Sequence, residues 1–292
     1  MPVSRRDFLK LAGLSLAGAG MASSPLPALA KAAEVEDSAS MLYDATKCVG
    51  CRACQFACKQ RSNLPAETDS QAMYEAPVDL SAYTWTMIKL YKKDTELSFV
   101  KNQCMHCVDP ACVSVCPVAA LEKLESGPVV YHAERCIGCR YCMAACPFNI
   151  PKSQWDKNLP LIQKCDFCAD RLENGEEPAC SEVCPTGALI YGKRGEMLQT
   201  AHARLQNDRS YYQYVYGESE VGGTSMLYIS GVNFEKLGFP VLKDDPLPKI
   251  TWPYMMAVPG VIAAVATVST AIYFRTHRDE DKDDEKEAGD GH

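Results

Sequence analysis

Apolar and polar positions divide the chain into three regimes. Near the amino terminus a run of mostly small and apolar residues, Leu11 to Ala22, follows a charged stretch, Ser4-Arg5-Arg6-Asp7-Phe8-Leu9-Lys10. The middle alternates on a short scale. Met41-Leu42-Tyr43-Asp44, Tyr83 to Tyr91, Ser98 to Lys101, Ala120-Leu121-Glu122, Val129-Val130-Tyr131 and Ala188 to Tyr191 predict brief strands, several bounded by Gly, Pro or polar turns. The polar Lys92 to Glu96 stretch joins the second and third, and Ser126-Gly127-Pro128 joins the fourth and fifth as a hairpin. Residues 193 to 209 carry Leu198, Ala201 and Leu205 among polar neighbours, the spacing of an amphipathic helix. After an extended connector, Leu237 to Pro248, comes Trp252 to Phe274, 23 residues without a formal charge.

That last run is long enough to cross a bilayer, which needs about 20 apolar residues. Trp252, Tyr254 and Tyr273 lie near its ends, where interfacial aromatics sit, and Arg275 and Arg278 follow as a stop signal. Pro253 is tolerated in a first turn, whereas Pro259-Gly260 invites a kink. The amino-terminal run is shorter and weaker. With its Arg pair and the Ala28-Leu29-Ala30 cleavage pattern it predicts a twin-arginine export signal over residues 1–30, used by proteins exported already folded. Export of the body would place residues 31 to 250 on the periplasmic face of the cytoplasmic membrane, with the tail from 276 to 292 left in the cytoplasm.

Composition sharpens this picture in one respect above all: 16 of 292 residues are cysteine. Net charge is −7, and −9 once residues 1–30 are removed, which argues against nucleic acid as a partner. Aromatics make up only 9%, so bound metal is expected to replace part of an ordinary apolar core.

The cysteines fall into four motifs that use all sixteen. Cys136, Cys139, Cys142 and Cys146-Pro147 have the C-x2-C-x2-C-x3-C-P spacing by which bacterial ferredoxins hold [4Fe-4S] clusters. Cys48, Cys51, Cys54 and Cys58 repeat it, with Lys59 in place of proline. Cys104, Cys107, Cys112 and Cys116-Pro117, and Cys165, Cys168, Cys180 and Cys184-Pro185, vary the middle spacing. Three thiolates close in sequence can converge on one cubane, while the fourth normally serves a neighbouring cluster. Disulfides would require no such spacing, and zinc sites usually come as two separated C-x2-4-C pairs. The inventory therefore predicts four [4Fe-4S] clusters in two ferredoxin-like modules of an α+β fold, and spacing alone leaves open which motifs pair. Gly138 suits a close backbone approach. Trp85 and Tyr91 read as packing residues. Tyr211, Tyr212, Tyr214 and Tyr216 fit either a partner surface or strand packing. No unassigned cysteine pair, pterin-sized domain or Gly-rich nucleotide loop suggests a catalytic site, so catalytic residues are none.

The motifs together with Gln103-Cys104-Met105-His106-Cys107-Val108-Asp109-Pro110, Cys146-Pro147-Phe148-Asn149-Ile150-Pro151 and Glu177-Pro178-Ala179-Cys180 resemble the four-cluster iron–sulfur subunits of complex iron–sulfur molybdoenzymes and membrane-bound hydrogenases. The likeness is greatest to the HybA-type subunit of periplasmic [NiFe] hydrogenase-2. The formate dehydrogenase β subunit is similar too, notably at Val78 to Ala82 with Trp85 and at Val221 to Thr224. The resemblance implies a crossed ligand pairing: Cys48, Cys51, Cys54 and Cys184; Cys58, Cys165, Cys168 and Cys180; Cys104, Cys107, Cys112 and Cys146; Cys116, Cys136, Cys139 and Cys142. It also implies a nested layout, with an outer module of residues 41–97 and 157–200, an inserted module of 98–156, an extension over 201–250, a transmembrane helix over 251–275 and an acidic tail. Some relatives hold a three-iron cluster where tryptophan replaces a cysteine; this chain keeps all sixteen.

His106 lies inside an already complete motif, which gives it a role beside the ligands or at the surface. Arg135, Arg140, Lys152, Lys164 and Arg171 adjoin ligands and either stabilise reduced clusters or are solvated surface charge. The function expected is an electron-transfer subunit, passing electrons from a periplasmic catalytic subunit to a quinone-reducing membrane subunit. A [NiFe] uptake hydrogenase, with its large and small subunits, is the first choice of partner and a formate dehydrogenase or other molybdoenzyme the second. A stand-alone redox enzyme or sensor is the alternative of another class.

Overall fold

The computed structural model describes residues 35–66, 79–93 and 96–277. The export signal, Val78 and the acidic tail beyond His277 lie outside the described residues. The fold is mixed helix and strand, ordered around one three-stranded sheet and three hairpins.

Strand β1 (Ala39–Asp44) is the centre of that sheet. Its neighbours β8 (Leu189–Lys193) and β9 (Met226–Ile229) run antiparallel and parallel to it, with Leu42 opposite both Ile190 and Leu227. A strand sends alternate side chains to opposite faces, and both faces here are apolar. Leu42, Leu227 and Ile229 pack under helix α6 (Arg194–Asn207) through Met197, Ala201 and Leu205. Met41, Tyr43, Met226 and Tyr228 pack on the other side, against Ile88, Met105, Phe167 and the cysteine loops. The sheet thus separates an ordinary hydrophobic layer from the layer that holds the thiols.

The hairpins carry the loops. β2 (Thr86–Lys93) pairs with β3 (Glu96–Gln103), β4 (Leu121–Lys123) with β5 (Val129–Tyr131), and β6 (Lys152–Ser153) with β7 (Ile162–Gln163), all antiparallel. Short helices carry or directly follow cysteines: α1 (Ala53–Arg61), α2 (Ala111–Ser114), α3 (Tyr141–Ala145), α4 (Ala169–Glu173) and α5 (Ala179–Glu182).

Several details differ from the sequence reading. β9 and its parallel pairing with β1 were not expected, because Met226 to Ile229 has no polar alternation: all four residues are buried. The strand after Cys184 joins β1 and forms no hairpin of its own. α6 continues through residue 200 to Asn207, and β3 spans residues 97 and 98, so the expected module limits fall inside elements. Helix α7 covers Leu247–His277, starting before the expected 251 and taking in Pro248. Of the tyrosines, Tyr211 and Tyr216 are buried, while Tyr212 and Tyr214 are exposed and pack beside Phe234.

Candidate metal centre

The local geometry of the cysteines begins with backbone sign. In the leading C-x2-C pair of each of the four motifs, the residue before the second cysteine has positive φ: Gly50 (69°), His106 (47°), Gly138 (71°) and Phe167 (63°). This turns the chain so that the amide two residues on faces the first sulfur. Gly50, Gly138 and Phe167 N–H groups donate to the Sγ of Cys48, Cys136 and Cys165 at 3.4 Å. The C-P cysteines behave alike at their own scale. The amides of Ala120, Ile150 and Leu189 donate to Cys116, Cys146 and Cys184 Sγ at 3.2, 3.5 and 3.4 Å. Such N–H···S bonds are among the devices that set cluster potentials. Cys58 has no proline after it and sits within α1, whose ladder continues from Ser62 N–H to Cys58 O at 3.0 Å. Lys59 turns inward there, its ammonium donating to Pro65 O, Tyr83 O and Thr84 Oγ1.

The glycines differ in what requires them. A Cβ at Gly50 would collide with the Phe99 ring, so space as well as φ demands glycine. At Gly138 the nearest atom is Pro160 O at 3.9 Å, so the positive φ is the requirement and the expected close approach is not found.

Two of the four cysteine sets that the resemblance implies each line one cavity. One cavity is lined by Cys48, Cys51, Cys54 and Cys184, with Tyr43, Ile88, Lys101 and Leu189. Another is lined by Cys116, Cys136, Cys139 and Cys142, with Leu121, Tyr131 and Ile162. Among the other cysteines, Cys58 lies near Cys180 and Cys168, and Cys165 near Cys58, Cys104 and Cys168. Cys107 and Cys112 each face Cys104 and Cys146. The neighbourhoods run into one another: Cys180 lies near Cys54, Cys165 near Cys104, and Cys112 near Cys142. The two exposed cysteines, Cys51 and Cys139, belong to the first and last groups.

Electrostatics shows what such groups can hold. Burial, then neighbouring thiols, pushes Cys58 and Cys112 up to about 12 and Cys142 and Cys180 up to about 11. Burial raises Cys107 and Cys165 further still. Thiols this crowded and dry ionise only with cations among them, and iron in a cluster supplies them. Among the described residues no three His, Cys, Asp or Glu side chains are grouped to hold a single metal ion. A tetrahedral zinc needs sulfurs about 2.3 Å from one point; a cube of iron and sulfide holds its four thiolates apart at the corners, with the inorganic core between them. Four cysteines around one cavity, as in the two sets above, suit the cube.

The charged residues flagged in the sequence divide. Lys164 is buried, donates to Cys165 O at 2.8 Å and to Val129 O, and bears on Cys112 and Cys146. Arg171 lies near Cys168 but pairs with Glu182 and Glu176. Arg135 and Lys152 sit in ion pairs with Glu122 and Asp79, and Arg140 stacks 4.2 Å over exposed Trp155. His106 is buried, its Nδ1 accepting the Val129 N–H at 2.9 Å, which rules out the surface role. Burial, with Lys164 and Lys123 nearby, holds it well below the usual imidazole range. Two lysines escaped the sequence reading, Lys101 and Lys123. Lys123 bears on Cys107 and Cys104 and donates to His106 O and Gly127 O. The signal for Lys101 was register: it pairs across β2–β3 with Ile88, a core residue, and so faces inward.

Helix α7 has the length and apolarity to cross a membrane, and its side chains are exposed along nearly all of it.

Comparison with known proteins agrees with this chemistry. The family described as 4Fe-4S dicluster domain matches residues 95–194. The chain is 38% identical to the hydrogenase-2 operon protein HybA of Escherichia coli O157:H7, over 83% of this chain and 85% of that one. It is 40% identical to the iron–sulfur subunit of nitrate-inducible formate dehydrogenase of Escherichia coli K12, over 64% and 66% of the two chains. With the formate dehydrogenase iron–sulfur subunit of Haemophilus influenzae it shares 35% identity, over 78% and 72%. The chain belongs to the family of [4Fe-4S] iron–sulfur subunits that includes HybA and the formate dehydrogenase iron–sulfur subunits.

Proposed function

We propose that the protein is the electron-transfer subunit of a membrane-bound oxidoreductase, without catalytic residues of its own, and that its four cysteine groups hold four [4Fe-4S] clusters in series. The observation that carries this is the pair of cavities each lined by four cysteines, with thiols close enough to influence one another between Cys54 and Cys180, Cys165 and Cys104, and Cys112 and Cys142. The ligand sets are Cys48, Cys51, Cys54 and Cys184; Cys58, Cys165, Cys168 and Cys180; Cys104, Cys107, Cys112 and Cys146; and Cys116, Cys136, Cys139 and Cys142. The first two make an outer ferredoxin-like module and the last two an inserted one. When bound, the clusters supply one-electron exchange at potentials set by charge, hydrogen bonds and exposure. The chain's own part is to fix the thiolates, aim amides at them and keep water from the inner two groups.

The ends of the series suit docking. Val49 and Phe56 near Cys51, and Ile137 and Tyr141 near Cys139, are exposed apolar side chains. α7 lies against α2, which carries Cys112, and this favours the Cys139 end as the one nearer the membrane. Electrons would enter from a catalytic subunit at the Cys51 end and leave at the Cys139 end to a quinone-reducing membrane subunit. The body would lie on the periplasmic face, held by α7. The longer shared span with the hydrogenase-2 operon protein favours a [NiFe] hydrogenase as partner over a formate dehydrogenase.

Purification of the full chain from membranes with whatever accompanies it tests the reading. Nickel in the complex, and bleaching of the iron–sulfur absorbance by hydrogen, are expected. Molybdenum or tungsten with bleaching by formate would move the assignment to the second partner. Substrate turnover by the isolated subunit would overturn the relay.

A further inference from the structure

Lys101 stands out among the buried lysines. Lys59 has three acceptors for its three N–H groups, and Lys164 and Lys123 each donate to two backbone carbonyls. Lys101 is 0% exposed, and its one side-chain hydrogen bond goes to Thr86 Oγ1. No carboxylate pairs with it among the described residues. A buried ammonium left so is unfavourable unless negative charge answers it. What faces it is sulfur: it lines the cavity of Cys48, Cys51, Cys54 and Cys184, and beyond Cys54 the thiols it bears on are Cys180, Cys58 and Cys165 of the second group.

We propose that the Lys101 ammonium is the fixed counter-charge shared by the first two cysteine groups, raising the reduction potential of both sites while leaving the other two alone. This rests on the electron-relay reading above. When one electron passes between these sites, the first is oxidised and the second reduced by one. The ammonium bears on both sites as one fixed positive charge. A charge shared by donor and acceptor lifts both potentials and adds little to the difference between them. Electrons are therefore held at the entry of the series without a trap between its first two sites. Net charge near a cluster is one of the levers that sets its potential, and low local dielectric makes a buried charge more effective than a surface one.

The test is a redox titration of the full chain, purified anaerobically from membranes and followed by electron paramagnetic resonance, for wild type, Lys101→Met and Lys101→Arg. Iron content is measured alongside. Expected are wild-type iron in all three, a shift of two of the four midpoints to lower potential in Lys101→Met, and their return toward wild type in Lys101→Arg. Iron retained with all four midpoints unmoved in Lys101→Met overturns the proposal. If Lys101→Met loses iron, retention by Lys101→Arg still supports a counter-charge, whereas loss from both shows that the position serves shape and overturns it. Fewer than four midpoints in the wild type would instead count against the relay reading itself.

Discussion

At the scale of single residues, what decides the chemistry is where each sulfur goes. Cys146 follows Cys142 by four positions, yet it faces Cys104, and Cys107 and Cys112 both face it. Cys146→Ser is therefore expected to disturb the cluster of the 104–112 loop. Loss only of the cluster served by Cys136, Cys139 and Cys142, seen by paramagnetic resonance, would refute the crossing. The two motif glycines make a paired prediction. Alanine at Gly138 meets only the penalty of positive φ, about 1 kcal/mol. Alanine at Gly50 must also displace the Phe99 ring, whose carbonyl accepts the Tyr43 hydroxyl at 2.8 Å. Gly50→Ala should lower the melting temperature and iron occupancy more than Gly138→Ala, and equal effects would contradict the packing described. The sixteen ligand candidates were legible from spacing because cluster chemistry fixes residue type and interval together. Lys101 was not, since a lysine in a strand reads as solvent-facing until the hairpin register is known.

At the scale of elements, the sheet is held to its covering helix by a buried polar knot. Asp44, at the end of β1, is 0% exposed. It accepts from Arg204 of α6 at 2.9 Å, from the Tyr211 hydroxyl at 2.9 Å, and from the Thr46 amide at 3.1 Å. Arg204 is partly exposed, so Arg204→Met should cost about 2 kcal/mol, below the figure for breaking a fully buried pair. Tyr211→Phe should cost about 1 kcal/mol. Thermal melting followed by circular dichroism checks both, and an unchanged Arg204→Met would show that Asp44 is satisfied without it. The hairpins and α6 were legible because their alternation is local. β9 was not, because a parallel strand inside a doubly covered sheet shows only a continuous apolar run, and its partner β1 lies far back in the chain.

At the scale of the whole molecule, an exposed apolar helix is joined to a body built on bound metal. If α7 is the anchor, ending the chain at Pro246 should move the protein from the detergent-extracted to the soluble fraction with its iron retained. Continued membrane association would assign the anchoring to another segment or to a partner. The long apolar helix and the cysteine inventory were legible as length and count. The proximity of Cys54 to Cys180 and of Cys165 to Cys104 was not, because it arises from tertiary folding that no spacing encodes. The account depends most directly on what the sixteen thiols hold. Metal and sulfide analysis of anaerobically purified protein should find about sixteen irons per chain, with matching sulfide. Stoichiometric zinc, or disulfides with negligible iron, would contradict it.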